Sequence, residues 1–176
     1  MKPIRLLSLL GAVAALTFGP VLFSQDRAAA AAAADGAAVA QPAPAWKLKD
    51  LDGREVSSDQ FKGKVVVVDF WATWCGPCIE EIPGYIALQK KYGPDGLVIV
   101  GVSLDRRGPA HVKEFAQAKG MNYTIVMGDE AVVEAFGGFQ AIPTTFLISR
   151  EGRILHQKTG AAAPAEYEKL VQSALK

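Results

Sequence analysis

The spacing of apolar and polar residues changes several times along this chain, and each change marks an element. From residue 46 the pattern is that of a folded domain. Residues 46–50 alternate, Asp52-Gly53 is a hairpin turn, and residues 55–57 return. Ser58 is placed to cap a short helix through Phe61 that ends at Gly63. Residues 64–71 contain the unbroken run Val65-Val66-Val67-Val68, which predicts a central strand buried on both faces. Residues 78–92 have helical spacing, with Ile79, Ile82, Ile86 and Leu88 inward, a kink at Pro83 and a stop at Gly93-Pro94. A second apolar strand follows over residues 97–103. An amphipathic helix over 109–119 turns Val112, Phe115 and Ala116 inward and ends on Gly120. Residues 123–126 predict a strand and 130–136 a short helix ending at Gly137-Gly138. Residues 144–148 and 154–158 predict strands joined by a Glu151-Gly152 turn, and 165–175 a closing helix. The alternation gives an α/β fold with a mixed sheet and an antiparallel tail.

The first 45 residues follow other rules. Lys2 and Arg5 precede an uncharged, mostly apolar stretch over residues 6–23. This is the pattern of an export segment, and positive charge before it places the N-terminus inside. Two fates are open for residues 1–27. Ala28-Ala29-Ala30 offers a cleavage site for a signal peptide. The length of the apolar run, near the minimal span of ~17 residues, favours a retained membrane anchor. Residues 28–45 are rich in alanine, with Gly36, Pro42 and Pro44, and predict a linker, or else the remainder of a processed leader. The domain then occupies residues 46–176.

Composition narrows the function. The net charge is only +1 on 176 residues and the basic residues are scattered, so nucleic acid is not an expected partner. His111 and His156 lie far from the cysteines in sequence, which argues against a zinc site. No cofactor is called for.

Cys75 and Cys78, in Trp74-Cys75-Gly76-Pro77-Cys78, are the only cysteines. A bridge between them would close almost no loop and would stabilise the fold little. The pair is instead suited to switching between dithiol and disulfide. Pro77 fits the first turn of a helix, which puts Cys75 at the helix N-terminus. Free N–H groups and the helix dipole favour a thiolate there. Cys75 is therefore the expected attacking thiol, and the deeper Cys78 the resolving one.

The run Val68-Asp69-Phe70-Trp71-Ala72-Thr73-Trp74-Cys75-Gly76-Pro77-Cys78, joined by Ala141-Ile142-Pro143-Thr144-Thr145-Phe146, resembles the thioredoxin superfamily. The export segment, the added hairpin, Glu81 and Pro83 after the motif, and the helix at 109–119 are similar to TlpA/ResA-like extracytoplasmic thiol–disulfide oxidoreductases. The resemblance implies a thioredoxin-like fold, a central mixed sheet flanked by helices with an N-terminal hairpin and an inserted helix. It implies that Pro143 is a cis-proline beside the cysteines and that the Ile142 backbone pairs with an extended substrate segment. Trp74, Gly76 and Pro77 would complete the substrate contact.

Asp69 matches the buried acid of cytoplasmic-type thioredoxins, where many TlpA-like relatives have Asn. Buried under the cysteines, its pKa would rise and it could exchange a proton with Cys78. The alternative is a hydrogen-bonded strand-end Asp with no role. Glu81 matches the active-site glutamate of ResA-like members. Three residues after Cys78 on the same helix side, it too could tune or protonate a cysteine and divide the proton work with Asp69. Its alternative is a solvated helix acid like Glu80. Trp71 is read as packing, the histidines as solvated or structural, and Arg106-Arg107 as a solvated loop.

The resemblance implies a reductase of protein disulfides in the periplasm. Its clients would be the cysteines of apocytochrome c or of a copper-site protein, and its electrons would come from a membrane thiol donor of the DsbD/CcdA kind. A dithiol oxidase is disfavoured by Gly76-Pro77, since strong oxidants of the superfamily carry histidine between the cysteines. A Cu(I) carrier is disfavoured by the lack of histidine over residues 139–145. A peroxidase is disfavoured by Ala72, where such enzymes need Thr or Ser.

Overall fold

A computed structural model describes residues 41–176. The expected leader and most of the expected linker lie outside the described residues. The elements run β1 (Lys47–Asp50), β2 (Glu55–Ser57), a 3-10 turn (Ser58–Phe61), β3 (Val65–Trp71), α1 (Gly76–Tyr92), β4 (Leu97–Ser103) and α2 (Pro109–Lys119). They continue with β5 (Thr124–Met127), α3 (Glu130–Ala135), β6 (Thr144–Ile148), β7 (Ile154–Thr159) and α4 (Pro164–Leu175). The seven strands form one sheet in the order β2-β1-β5-β4-β3-β6-β7. β3, β4 and β5 are parallel neighbours, and the remaining pairs are antiparallel. This is the expected mixed sheet with its antiparallel tail, added hairpin and inserted helix α2. No helix among the described residues is long and apolar enough to cross a membrane.

β3 is buried along its whole length because both of its faces are covered. On one face Val66, Val68 and Phe70 pack with Val100, Val102, Val126, Phe136 and Phe146. On the other, Val65 and Val67 meet Tyr85, Leu88 and Tyr92 of α1 and Tyr167 and Val171 of α4. Asp69 falls on this second face by the two-residue period of a strand. Trp71, at the end of β3, joins Cys75, Cys78, Ile82, Val112 and Ala116 in a separate cluster under the motif.

Local differences from the sequence reading have physical causes. The buried stripe of α1 is Cys78, Glu81, Ile82, Tyr85, Leu88 and Tyr92. Ile79 and Ile86 are only half-buried, because the stripe follows the helical period through the tyrosines rather than the isoleucines. Pro83 lies within α1 on its exposed side, and the helix runs on past it. Ser58 is not a cap. Its Oγ accepts the Trp46 N–H at 3.2 Å and so ties the start of β1 to the 3-10 turn. β5 begins at Thr124, one residue after the expected start.

Ordered structure also begins before Trp46. Ile154 N–H donates to the Gln41 carbonyl at 2.9 Å and Ala43 N–H to that of Gly152 at 2.8 Å. Residues 41–45 thus lie along the β6–β7 turn rather than acting as a free linker. Backbone pairing of this kind leaves no trace in composition.

One glycine shapes the space beneath the motif. Gly101 on β4 pairs with Asp69 on β3. A Cβ there would sit 2.9 Å from the Trp71 indole nitrogen and 3.3 Å from the Tyr123 ring. Gly101→Ala therefore has to displace the indole. A loss of about 1–3 kcal/mol in urea denaturation is expected, as for other overpacked cores.

Candidate functional site

The site lies where β3 gives way to α1. Cys75 is the N-cap residue of α1, in extended conformation (φ −88°, ψ 102°), and Pro77 occupies the first turn. Cys78 N–H points at Cys75 Sγ across 3.3 Å. The helix N-terminus is therefore directed at the first sulfur, as the spacing predicts. The structure holds the oxidised state, a Cys75–Cys78 disulfide with the Cα atoms 5.3 Å apart. Both cysteines are largely covered, while Trp74, Gly76 and Pro77 form an exposed rim. Trp74 is 66 % exposed, an unusual placement for an indole and one suited to a flat contact.

The second motif completes the rim. The Ile142–Pro143 peptide bond is cis. The Ile142 carbonyl oxygen lies 3.7 Å from Cys75 Sγ. A disulfide sulfur has no proton to donate, so this is a close approach rather than a hydrogen bond. It places the residue 142 backbone within reach of whatever approaches Cys75. The Pro143 carbonyl is held by Gly160 N–H at 2.8 Å.

On the face of β3 turned toward α1 lies a polar group enclosed by apolar residues. Asp69 on β3 is buried and accepts a hydrogen bond at Oδ1 from Thr145 Oγ1 at 3.1 Å. Thr145 Oγ1 in turn lies 3.2 Å from the Tyr85 hydroxyl. With its single proton given to Asp69, Thr145 accepts from Tyr85. Burial raises the Asp69 pKa to about 7, and the Glu81 charge pushes in the same direction against the Thr145 hydrogen bond and Lys158. Burial, followed by the Asp69 charge, also keeps the Tyr85 phenol well above its ordinary pKa.

Glu81 is not a solvated helix acid. It is buried on α1, and its Oε1 accepts from Lys158 Nζ at 2.6 Å and from Ala162 N–H at 2.8 Å. Its Oε2 has no hydrogen-bond partner. Trp71 is packing, as expected, with its ring 5.8 Å from that of Phe115.

The sequence reading missed three contributors. Lys158 looked like an ordinary end-of-strand lysine. Tyr85 was hidden by the isoleucines beside it. Asp105, buried in the β4–α2 loop, accepts from Thr73 N–H at 3.0 Å and from the Thr73 hydroxyl, and fixes the residue before Trp74. His111 Nε2 adds a 3.1 Å contact to Thr73 Oγ1, so His111 is structural. Burial opposes the Asp105 charge, but bonds from Thr73 and Arg107 and the nearby His111 outweigh it and lower the pKa. An acid directly after an apolar strand was the available signal for Asp105.

Comparison with known proteins agrees with this geometry. Residues 38–171 match the Redoxin family. The thiol-disulfide oxidoreductase ResA of Geobacillus thermodenitrificans is 33% identical over 136 residues, covering 77% of this chain and 78% of the relative. ResA of Bacillus subtilis is 38% identical over 120 residues, covering 67% and 65%. A thiol:disulfide interchange protein of the thioredoxin family from Chlorobium tepidum superposes with a TM-score of 0.72 at 32% identity, covering 81% of this chain and 100% of that one.

The buried acid makes stability depend on pH. Between about pH 4 and pH 7 the folded chain keeps the Asp69 proton that the unfolded chain has already lost. The resulting penalty is absent below that window, grows through it, and is complete above it. Asp69→Asn should therefore leave the oxidised protein about as stable as wild type near pH 4. It should stabilise it by a few kcal/mol, of order 3, near pH 8. Urea denaturation at the two pH values checks this, and an equal effect at both would contradict it.

Proposed function

The chain belongs to the Redoxin family, and from that premise we propose a direction and a place for its chemistry. It is a protein thiol–disulfide oxidoreductase of the ResA type. We read it as a reductase of protein disulfides outside the cytoplasm. The observation that carries the mechanism is Cys75 at the N-cap of α1, facing the exposed Trp74-Gly76-Pro77 rim and the Ile142 carbonyl.

In the reduced protein the Cys75 thiolate attacks one sulfur of a client disulfide. The client S–S bond breaks, a Cys75–client mixed disulfide forms, and the released client sulfur takes a proton. Cys78 then gives up its proton to Asp69, whose carboxyl titrates near neutral pH. The Cys78 thiolate attacks Cys75 Sγ and the Cys75–client S–S bond breaks. The second client sulfur leaves as a thiolate that takes a proton from solvent, while Asp69 releases to solvent the proton it took from Cys78. Two electrons have passed to the client, and the chain is left as the disulfide seen in the structure.

An extended client segment would lie along the residue 142 backbone with its flank on Trp74. The export pattern of residues 1–27 supports a periplasmic site of action, with the chain either anchored in the inner membrane or released. In that oxidising compartment a reductase needs electrons, which fits a membrane thiol donor of the DsbD/CcdA kind. Apocytochrome c and copper-site proteins, whose cysteines must be reduced before they bind haem or metal, are the fitting clients.

Two measurements test this reading. The reduction potential of the Cys75–Cys78 couple should lie nearer thioredoxin (about −270 mV) than DsbA (about −120 mV). A value at the DsbA end would overturn the reductase direction. Cys78→Ser should accumulate a mixed disulfide with a client through Cys75. Trapping by Cys75→Ser instead would reverse the assigned roles.

A further inference from the structure

Asp69, Thr145 and Lys158 form one row across the sheet. Asp69 pairs with Thr145 between β3 and β6, and Thr145 pairs with Lys158 between β6 and β7. Directly opposed residues on antiparallel strands point to the same face. All three side chains therefore rise toward α1, which lowers Glu81 onto the row. Lys158 is 12 % exposed and Glu81 8 %. Two carboxyl groups and one ammonium thus share a space with little water, and among the described residues the ammonium is paired with one carboxyl alone.

The pairing is unequal. Lys158 Nζ and Ala162 N–H both converge on Glu81 Oε1. Among the described residues, the hydrogen bond to Asp69 comes from the neutral Thr145 hydroxyl. We propose that Lys158 is a positioning residue that decides which carboxyl carries the proton: it holds Glu81 as a carboxylate and leaves Asp69 as the single proton partner of Cys78. The inference rests on the exchange chemistry proposed above and resolves the division of labour between the two acids.

The charges around the pair are consistent with this. From β7 comes the Lys158 ammonium. From α1, Glu81 and Tyr85 face Asp69, and Tyr167 of α4 and Tyr123 stand near both acids. The three tyrosines have their phenol pKa values raised, first by burial and then by the two acids, so they stay neutral and add no charge. The raised pKa of Asp69 is what an unpaired buried acid beside a fixed carboxylate shows. A buried carboxylate that loses its only cation is left uncompensated and takes up a proton instead.

The test is carboxyl ¹³C NMR of the oxidised full chain, followed from about pH 5 to pH 9. In wild type, the Asp69 resonance should titrate in a single step. In Lys158→Met, the Asp69 curve should become biphasic, because a second carboxyl then competes for the proton. Lys158→Arg should restore the single step. Glu81→Gln, which keeps the side-chain shape, should move the Asp69 midpoint to lower pH and covers the case in which Lys158→Met does not fold. A biphasic Asp69 curve in wild type, a single-step curve in Lys158→Met, or an Asp69 midpoint unmoved in Glu81→Gln would overturn the proposal. Neither result touches the oxidoreductase reading, since no disulfide partner is present. That reading falls only if the wild-type dithiol fails to reduce a protein disulfide.

Discussion

An imbalance of charge between the sheet and α1 organises this molecule. Asp69 and Glu81 are both buried, and among the described residues the cation paired with them is Lys158, on Glu81. Burying an ion is costly unless it is paired and hydrogen-bonded. Three elements must therefore meet correctly: β3 brings Asp69, α1 brings Glu81, and β7 brings Lys158. The antiparallel tail of the sheet is more than a terminal extension. Its last strand delivers the cation that lets a second acid be buried near the cysteines, and the segment entering α4 supplies the Ala162 N–H.

The same architecture separates a rigid base from an exposed rim. β3 is enclosed by β4 and β6 and buried along its length. The turn after it is fixed by Asp105 through Thr73. Gly101 leaves room for the Trp71 indole under the motif. Only past Thr73 does the chain reach solvent, at Trp74, Gly76 and Pro77. A sulfur at the N-cap of a helix faces backbone dipoles that favour its thiolate once it is reduced. The buried acids Asp69 and Glu81 lie below that rim, and in the proposed cycle the proton work would fall to them.

How far the sequence showed this depends on the kind of signal. The four valines before Asp69 announced a doubly covered strand, because apolar runs report burial directly. The cysteine spacing and Pro77 placed the helix start for local steric reasons. The cis bond at Pro143 came from resemblance alone, since the local sequence would have favoured trans. Glu81 and Lys158 are 77 positions apart, and their pairing depends on strand register, which neither residue's neighbours encode. The ordered residues 41–45 escaped notice for a related reason: their partners are backbone groups of the β6–β7 turn. Contacts made by main chain, or set by register, leave no pattern in the residues that make them.

Asp69 and Glu81 were legible as candidates but not as different ones. Each is an acid near the cysteines, and helix spacing or strand position could not rank them. What distinguishes them is the identity of the nearest donor, an ammonium for Glu81 and a hydroxyl for Asp69. The hydroxyl can turn to serve either protonation state of its acid, because it can donate to a carboxylate or accept from a carboxylic acid. The ammonium only donates, and so favours the charged form. An acid that must gain and lose a proton in each cycle is therefore better matched to Thr145 than to Lys158. A counter-charge that must not change is better matched to Lys158, and on that chemistry the proposed cycle would give the two carboxyl groups different tasks.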